Sequence, residues 1–342
     1  MKREGNRIKV LDTTCRDGMH AMSHQFKPED VKAIARGLEK AGLDYMEVSH
    51  GDGLGGSSIN YGYGAATDRQ WIEAAASELK NTKLAAMMLP GIGVMEDLEM
   101  AAECGVKMCR ITVHCTEADI TRQHVRLTKD LGMECFGVLM MTHMIGPDML
   151  LEQAKLFEEY GVDAVYMMDS SGHLMPDGVR ARVSALANDL SIPVGFHAHA
   201  NLAMHMPNTL AALEEGAAYT DGTLRGLGAG AGNTPTEVLA AVLEMNSYET
   251  GIDLYAAMDA AEDILLPIIG NERKPGIDKA ALTIGYAGVY GSFALHAKRA
   301  AKRYGIDERD LLLECGKRKL VGGQEDIIIE IAAQLAEKNI DT

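Results

Sequence analysis

Glu39-Lys40-Ala41-Gly42-Leu43-Asp44-Tyr45 closes an amphipathic stretch on a glycine and runs straight into an apolar one. The same phrase returns as Ala102-Glu103-Cys104-Gly105-Val106-Lys107-Met108, as Glu158-Glu159-Tyr160-Gly161-Val162-Asp163-Ala164, and as Leu213-Glu214-Glu215-Gly216-Ala217-Ala218-Tyr219. A glycine in that place suits the left-handed C-cap on which helices stop. The short apolar run behind it suits a buried strand. Glycines 42, 105, 161 and 216 stand about 60 residues apart, the length of two strand-helix units, so each phrase introduces an even-numbered strand.

Outward from these four points, apolar runs lie near Ile8–Leu11, Tyr45–Val48, Leu84–Leu89, Met108–Val113, Phe136–Met141, Ala164–Met168, Val194–Phe196 and Tyr219–Thr223. Helical patterns follow them, for example Pro28–Lys40, Met95–Glu103, Asp148–Tyr160 and Pro235–Met245. Pro28 and Pro235 suit a first helical turn, where the missing N–H costs little. Eight such units in roughly 250 residues are the size of a (β/α)8 TIM barrel. The competing doubly wound sheet would need a glycine-rich turn after its first strand, and Arg16-Asp17 stands there instead.

Beyond about Leu265 the pattern changes. Lys274-Pro275-Gly276 breaks the chain, and helices are expected over Asp278–Lys302, Asp307–Cys315 and Asp326–Glu337. The expected division is therefore a barrel domain over residues 1–264 and a small helical C-terminal domain over 265–342. The first long helix carries Gly285, Ala287, Gly288, Gly291 and Ser292, small enough for close packing. Tyr286 and Tyr290, four apart, are expected on one face of it.

At 342 residues and 47% hydrophobic content the chain can bury a large core. No stretch has the roughly 20 consecutive apolar residues of a membrane span, and Met1–Asn6 lacks the apolar centre of a signal peptide. A cytoplasmic protein without a membrane partner is expected. The formal charge of −16, with no concentrated basic tract, argues against nucleic acid. A small anion remains an acceptable substrate, because one buried arginine can neutralise it locally. The six cysteines (15, 104, 109, 115, 135, 315) show no C-x-x-C spacing and are expected as reduced thiols.

In a barrel, reacting groups gather where strands end. Here those ends read Arg16/Asp17, Glu47 to His50, Thr112 and His114, Thr142/His143, Asp169/Ser170, His197/His199, then Asp221 and Thr223. Two of them look made to share a metal ion: Thr14-Cys15-Arg16-Asp17-Gly18-Met19-His20 and Gly195-Phe196-His197-Ala198-His199-Ala200-Asn201. Residues i and i+2 of a strand face the same way, so His197 and His199 would offer two nitrogens beside the Asp17 carboxylate. Such a set suits a divalent ion with open positions. The bland alternatives are a chance histidine pair and an aspartate that merely makes a turn. Arg16 is either an ion-pair partner or a donor to a developing oxyanion, and His20 lies close enough in sequence to reach the same cavity. Gly226-Leu227-Gly228-Ala229-Gly230-Ala231-Gly232-Asn233 either cradles a phosphate or brings Asn233 and its backbone to the metal. His50, His114, His143 and His173 are left in supporting or surface roles.

Taken together, Thr-Cys-Arg-Asp-Gly-Met-His (14–20), His-Ala-His-Ala-Asn-Leu-Ala (197–203) and Gly-Ala-Gly-Asn (230–233) resemble the metal-dependent aldolase and lyase barrels related to hydroxymethylglutaryl-CoA lyase and isopropylmalate synthase. His-Gly-Asp-Gly-Leu-Gly-Gly-Ser-Ser (50–58), Gly-Tyr (62–63) and Gly-Val-Tyr-Gly-Ser-Phe (288–293) narrow the resemblance to the family of 4-hydroxy-2-oxovalerate aldolases. It covers essentially the whole chain. It implies that a 4-hydroxy-2-oxo acid such as 4-hydroxy-2-oxopentanoate is split into pyruvate and a short aldehyde. By the same resemblance Asp17, His197 and His199 bind Mn²⁺, with Mg²⁺ or Co²⁺ as substitutes. Arg16 holds the pyruvate enolate, His20 is the base, and Tyr290 reaches back from the tail to line the pocket. Ser170 and His197 contact the substrate, while Met87 and Leu89 border the aldehyde.

The family also implies an acylating acetaldehyde dehydrogenase as partner, which takes the aldehyde directly, in aromatic or steroid degradation. Two departures are Cys15, where many relatives carry leucine, and Met87, where leucine is frequent; the second bears on aldehyde length. A Schiff-base route would need a buried strand-end lysine, and none is evident. The rivals are a Claisen-type acyl-CoA synthase or lyase on the same scaffold, a metal-dependent amidohydrolase, and a non-catalytic scaffold for a dehydrogenase. An amidohydrolase would carry its His-x-His pair on the first strand rather than the seventh.

Overall fold

The computed structural model describes residues 7–270 and 276–340. The first six residues, and Lys274-Pro275 of the expected break, lie outside them. Eight parallel strands close into a barrel in chain order: β1 (Lys9–Asp12), β2 (Tyr45–Glu47), β3 (Lys83–Met88), β4 (Met108–His114), β5 (Glu134–Met140), β6 (Ala164–Asp169), β7 (Val194–Ala198) and β8 (Tyr219–Gly222). β1 closes on β8 through Lys9 to Asp12 paired with Tyr219 to Gly222. The helices Pro28–Ala41, Met95–Glu103 and Pro147–Tyr160 match the amphipathic stretches. Pro235 is the N-cap of Thr236–Met245, one position before the helix. The four repeat glycines all adopt positive φ, at +76° (42), +98° (105), +90° (161) and +111° (216), where an L side chain would be strained. Among the described residues no helix is long and apolar enough to cross a membrane. All six cysteines are free and buried.

Strand alternation sorts the side chains. On β4, Cys109, Ile111 and Val113 face the outer helices and join the main core. Met108 faces inward, with Phe136, Tyr166 and Tyr219, and the period of two puts Arg110 and Thr112 on that same face. Tyr45, Phe136, Tyr166 and Tyr219 touch through ring centroids 5.1–6.4 Å apart and form an aromatic floor. Gly195 makes room for it, since a Cβ there would overlap the Tyr166 ring. The barrel is thus plugged on one side by rings, and its polar groups are confined to the layers above.

After β8 the chain continues through Leu254–Asp259, Ala260–Leu265 and Leu266–Ile269. Leu265 and Ile269 still belong to the barrel's core. The tail, Lys279–Ala287, Phe293–Tyr304, Glu308–Lys317 and Glu325–Ile340, has a core of its own. The single helix expected over Asp278–Lys302 is instead two, parted at Gly288–Ser292, with Gly288 as a left-handed cap. Tyr286 and Tyr290 consequently share no helix face: Tyr286 is 72% exposed, while Tyr290 lies partly buried in the link. Apolar residues recur right through the break, which hides it from periodicity.

The small residues of this region do allow close approach. A Cβ on Gly285 would come 2.9 Å from Asn201 and Leu202 of the barrel. Two barrel histidines pin the same helix end: His143 Nε2 donates to the Gly288 carbonyl at 3.1 Å, and His173 Nδ1 to the Gly285 carbonyl at 2.7 Å.

Candidate active site

β1 ends in a tight turn. The Thr13 carbonyl accepts from the N–H groups of Arg16, Asp17 and Gly18 at 3.0, 2.8 and 3.3 Å. Asp12 holds the turn from below, accepting from Thr14 N at 2.9 Å and from Thr236 Oγ1 at 2.6 Å. Arg16 and Asp17 are therefore fixed by backbone geometry at the barrel mouth, both buried. On β7, alternation turns His197 inward, and His199 follows just past the strand end.

Three donor atoms converge. His197 Nε2, His199 Nε2 and Asp17 Oδ2 are 3.2, 3.3 and 3.4 Å apart, a nearly equilateral triangle. Adjacent ligands about 2.1 Å from an octahedral ion stand about 3 Å from one another, so the triangle fits one face of such an ion. Two further facts agree. Asp17 Oδ2 is buried and has no hydrogen-bond partner, while Asp17 Oδ1 accepts from Ala229 N at 3.1 Å. His197 Nδ1 donates to Asp221 Oδ2 at 2.9 Å, which fixes the tautomer and turns the Nε2 lone pair toward the triangle. Burial opposes ionisation of Asp17, yet Arg16, His199 and His197 together hold its carboxyl well below the usual carboxylate range. Burial pushes His199 down to about 4, leaving a neutral ligand imidazole.

Below the triangle lies a connection that the sequence reading did not name. Arg110, fully buried, donates from Nε to Glu47 Oε1 at 2.6 Å, from Nη2 to Glu47 Oε2 at 2.5 Å, and from Nη1 to Asp221 Oδ2 at 2.6 Å. Glu47 Oε2 also accepts from Arg16 Nε at 2.7 Å. One guanidinium therefore joins Arg16 to His197 through two carboxylates. Arg16 keeps Nη2 buried without a protein partner, a donor available to an oxyanion. The sequence did hold a signal, a charged residue on the face shared by 108, 110, 112 and 114 inside an otherwise apolar run.

The glycine-rich loop after β8 serves this centre, with Ala229 N donating to Asp17 Oδ1. Ala231 N donates to Asn201 Oδ1 at 2.8 Å, and Asn233 bridges to His199 through the backbone. Both amide atoms of buried Asn233 lack a protein partner. A cavity of about 560 Å³ opens beside Ala229 between barrel rim and tail, bordered by His20, His24, Asp52, Ile284 and Ser292.

The other expected residues are spread around the mouth. His20 is on this cavity's wall. Ser170 Oγ accepts from Met141 N at 3.1 Å and so holds the β5 loop. Met87 is buried in the barrel interior, with Leu89 packed against the same cluster. Tyr290 sits at the β4 end, its ring 6.4 Å from that of His114, and burial pushes its phenol well up. Cys15 is buried and its thiol is pushed well up by burial, which suits packing.

An HMGL-like family model matches residues 7–264, and a DmpG-like communication domain matches residues 275–337. The chain is 57% identical over 334 residues to the 4-hydroxy-2-oxovalerate aldolase of Carboxydothermus hydrogenoformans, covering 97% of this chain and 98% of that one. It is 54% identical over 331 residues to that of Moorella thermoacetica, covering 97% of each. Among solved structures, the N-terminal domain of a putative aldolase from Bacteroides vulgatus aligns with TM-score 0.71 at 22% identity, over 84% of this chain and 95% of that one. The carboxyl transferase domain of Rhizobium etli pyruvate carboxylase with oxamate and biotin aligns with TM-score 0.82 at 14% identity, over 98% of this chain and 61% of that one. At those identities the structures speak for the barrel alone.

Proposed function

Because the chain belongs to the HMGL-like family and, within it, to the 4-hydroxy-2-oxovalerate aldolases, we propose that Arg16, Asp17, His20, His197 and His199 carry out the cleavage of 4-hydroxy-2-oxopentanoate to pyruvate and acetaldehyde. The observation that carries this assignment is the donor triangle set beside an arginine with one free, buried N–H group. The enzyme is metal-dependent, and Mn²⁺ is the ion we assign to Asp17, His197 and His199. When bound, such an ion supplies Lewis-acid polarisation of the substrate's 2-oxo group.

The chain's own residues do the rest. His20 takes the proton from the C4 hydroxyl, the C4–O pair becomes the aldehyde carbonyl, and the C3–C4 bond breaks. Its electrons pass through C3 to the 2-oxo oxygen, where Arg16 Nη2 donates a hydrogen bond to the developing negative charge. Glu47 sets the guanidinium for this task by holding Nε, and Asp221 sets His197. Protonation at C3 then yields pyruvate. Met87 and Leu89 border the methyl end of the aldehyde, and Ser170 and Tyr290 close the pocket from the β6 and tail sides.

The tail's match to a communication domain supports an acylating acetaldehyde dehydrogenase as the partner that receives the aldehyde. We place the enzyme in the cytoplasm, where six free thiols stay reduced. The acyl-CoA alternative loses ground to the named relatives. Chelator-stripped protein, given 4-hydroxy-2-oxopentanoate, should release pyruvate only after Mn²⁺ is returned. Equal release with and without the ion would defeat the assignment.

A further inference from the structure

A second group of ligand-type side chains stands on the cavity wall, apart from the triangle. His20, His24 and Asp52 each offer one donor atom, all within 4.8 Å of one another. His24 is held there against its backbone preference. Ser23 and His24 both lie in the left-handed region, at φ +51° and +60°, a conformation that costs energy away from glycine and collects at functional positions. His24 is 6% exposed, and its ring stacks on His50 at 3.7 Å and meets His20 edge-on at 5.2 Å. Its Nδ1 is buried without a hydrogen-bond partner.

His50 is spoken for: Nε2 donates to the Gly62 carbonyl at 3.0 Å, and Nδ1 accepts from Asp52 N at 3.2 Å. The Asp52 carboxylate faces two imidazoles without bonding either, 4.0 Å from His20 Nδ1 and 3.6 Å from His50 Nδ1. A buried imidazole with an unpartnered nitrogen, grouped with an uncommitted carboxylate and a second imidazole, is a donor set that a small cation would satisfy.

We propose that His20, His24 and Asp52 form a second divalent-cation site whose occupation silences the enzyme by engaging His20. The donor set, two imidazoles and a carboxylate with room for water from the cavity, suits Zn²⁺ or Co²⁺. Mg²⁺, which prefers oxygen, suits it poorly. Silencing rests on His20 being the base; binding does not.

Co²⁺ added to the full-length, chelator-stripped chain tests both. The first equivalent restores pyruvate release, and the second lowers it by about 100-fold or more, as expected when a general base is lost. Equilibrium dialysis counts two ions per wild-type chain. His24→Asn, chosen because asparagine tolerates the left-handed backbone, and Asp52→Asn each keep the rising limb, lose the falling one, and bind one ion. A single ion on the wild type, or a falling limb in both variants, overturns the site and leaves the role of His20 untouched. Two ions bound with undiminished release overturn the silencing, and do so by removing His20 from the base role.

Discussion

Replacing Arg110 with methionine removes the cation shared by Glu47 and Asp221 while keeping most of the side chain's volume. Breaking a buried ion pair from one side costs about 3–5 kcal/mol, because the stranded charge stays desolvated. Glu47 keeps Arg16 and Asp221 keeps the His197 Nδ1–H, so the loss should fall near the lower figure, about 3 kcal/mol. That is a sizeable fraction of an ordinary domain's stability. The pH dependence follows from the same residues. Burial resists ionisation of Glu47 and Asp221, but Arg110 with Arg16 for the first, and Arg110 with His197 for the second, holds both below their ordinary values. In the parent protein their contribution is present above the unfolded carboxyl range and is lost as pH falls through the folded values. In Arg110→Met the burial penalty prevails and both folded values rise above the unfolded ones. The variant's deficit is then full near neutral pH and narrows as acid protonates the stranded carboxylates. Chemical denaturation of both proteins from about pH 7.5 down to about pH 5 reads this directly. An unchanged midpoint at neutral pH, or a deficit that widens in acid, would refute the network as described. Mn²⁺ affinity should fall by about 10- to 100-fold in the variant, since Asp221 keeps its bond to His197 but loses the Arg110 contact that anchors its own carboxylate.

Arg16→Ala should lower turnover by at least ~100-fold; steady-state pyruvate release checks it, and near-normal turnover would remove Arg16 from the enolate. His20→Ala should depress cleavage at neutral pH, and an unaltered pH–rate profile would end its assignment as base. Tyr290→Phe should change rate or stereochemical preference, read by chiral analysis of the aldol adducts, if the tyrosine borders the substrate. Met87→Leu, a volume-conserving swap costing less than about 1.5 kcal/mol, should shift preference between acetaldehyde and propanal adducts; identical ratios of kcat/KM would take Met87 out of the aldehyde pocket.

The barrel was legible because its signals are local: a helix stop at Gly42, Gly105, Gly161 and Gly216, then an apolar run. The triangle was legible for a related reason. The period of two puts His197 and His199 on one face, and barrel topology puts β1 beside β8 and β8 beside β7. What escaped were features set by contacts between distant segments. The stop at Gly288 looks like part of one small-residue stripe, and only the docking of His143 and His173 onto its carbonyls distinguishes it. Arg110 interrupts a run that otherwise reads as an apolar strand, and its partners come from β2 and β8, 63 and 111 residues away. Ser170 stands at a strand end, and the bond its hydroxyl accepts from the Met141 N–H is likewise a contact between distant segments.

The burial of so much charge above an aromatic floor has an electrostatic logic of its own. With the imidazoles neutral, as metal ligation requires, Arg16 and Arg110 set against Glu47, Asp221 and Asp17 leave the ligand set and its surroundings at one net negative charge (two cations, three anions). A divalent ion would bring it to one net positive, and the carboxylate of a 2-oxo acid would return it to zero. The negative charge that grows during cleavage then arises beside Arg16 rather than against a surplus of carboxylates, and inside a barrel where each of those charges is worth more than in water. Shielding by Tyr45, Phe136, Tyr166 and Tyr219 keeps solvent from weakening that field from below. On this view Arg110 is an electrostatic counterweight as much as a strut. A lysine in its place would keep the charge but could not reach Glu47 and Asp221 together, so it should restore stability more completely than it restores Mn²⁺ affinity.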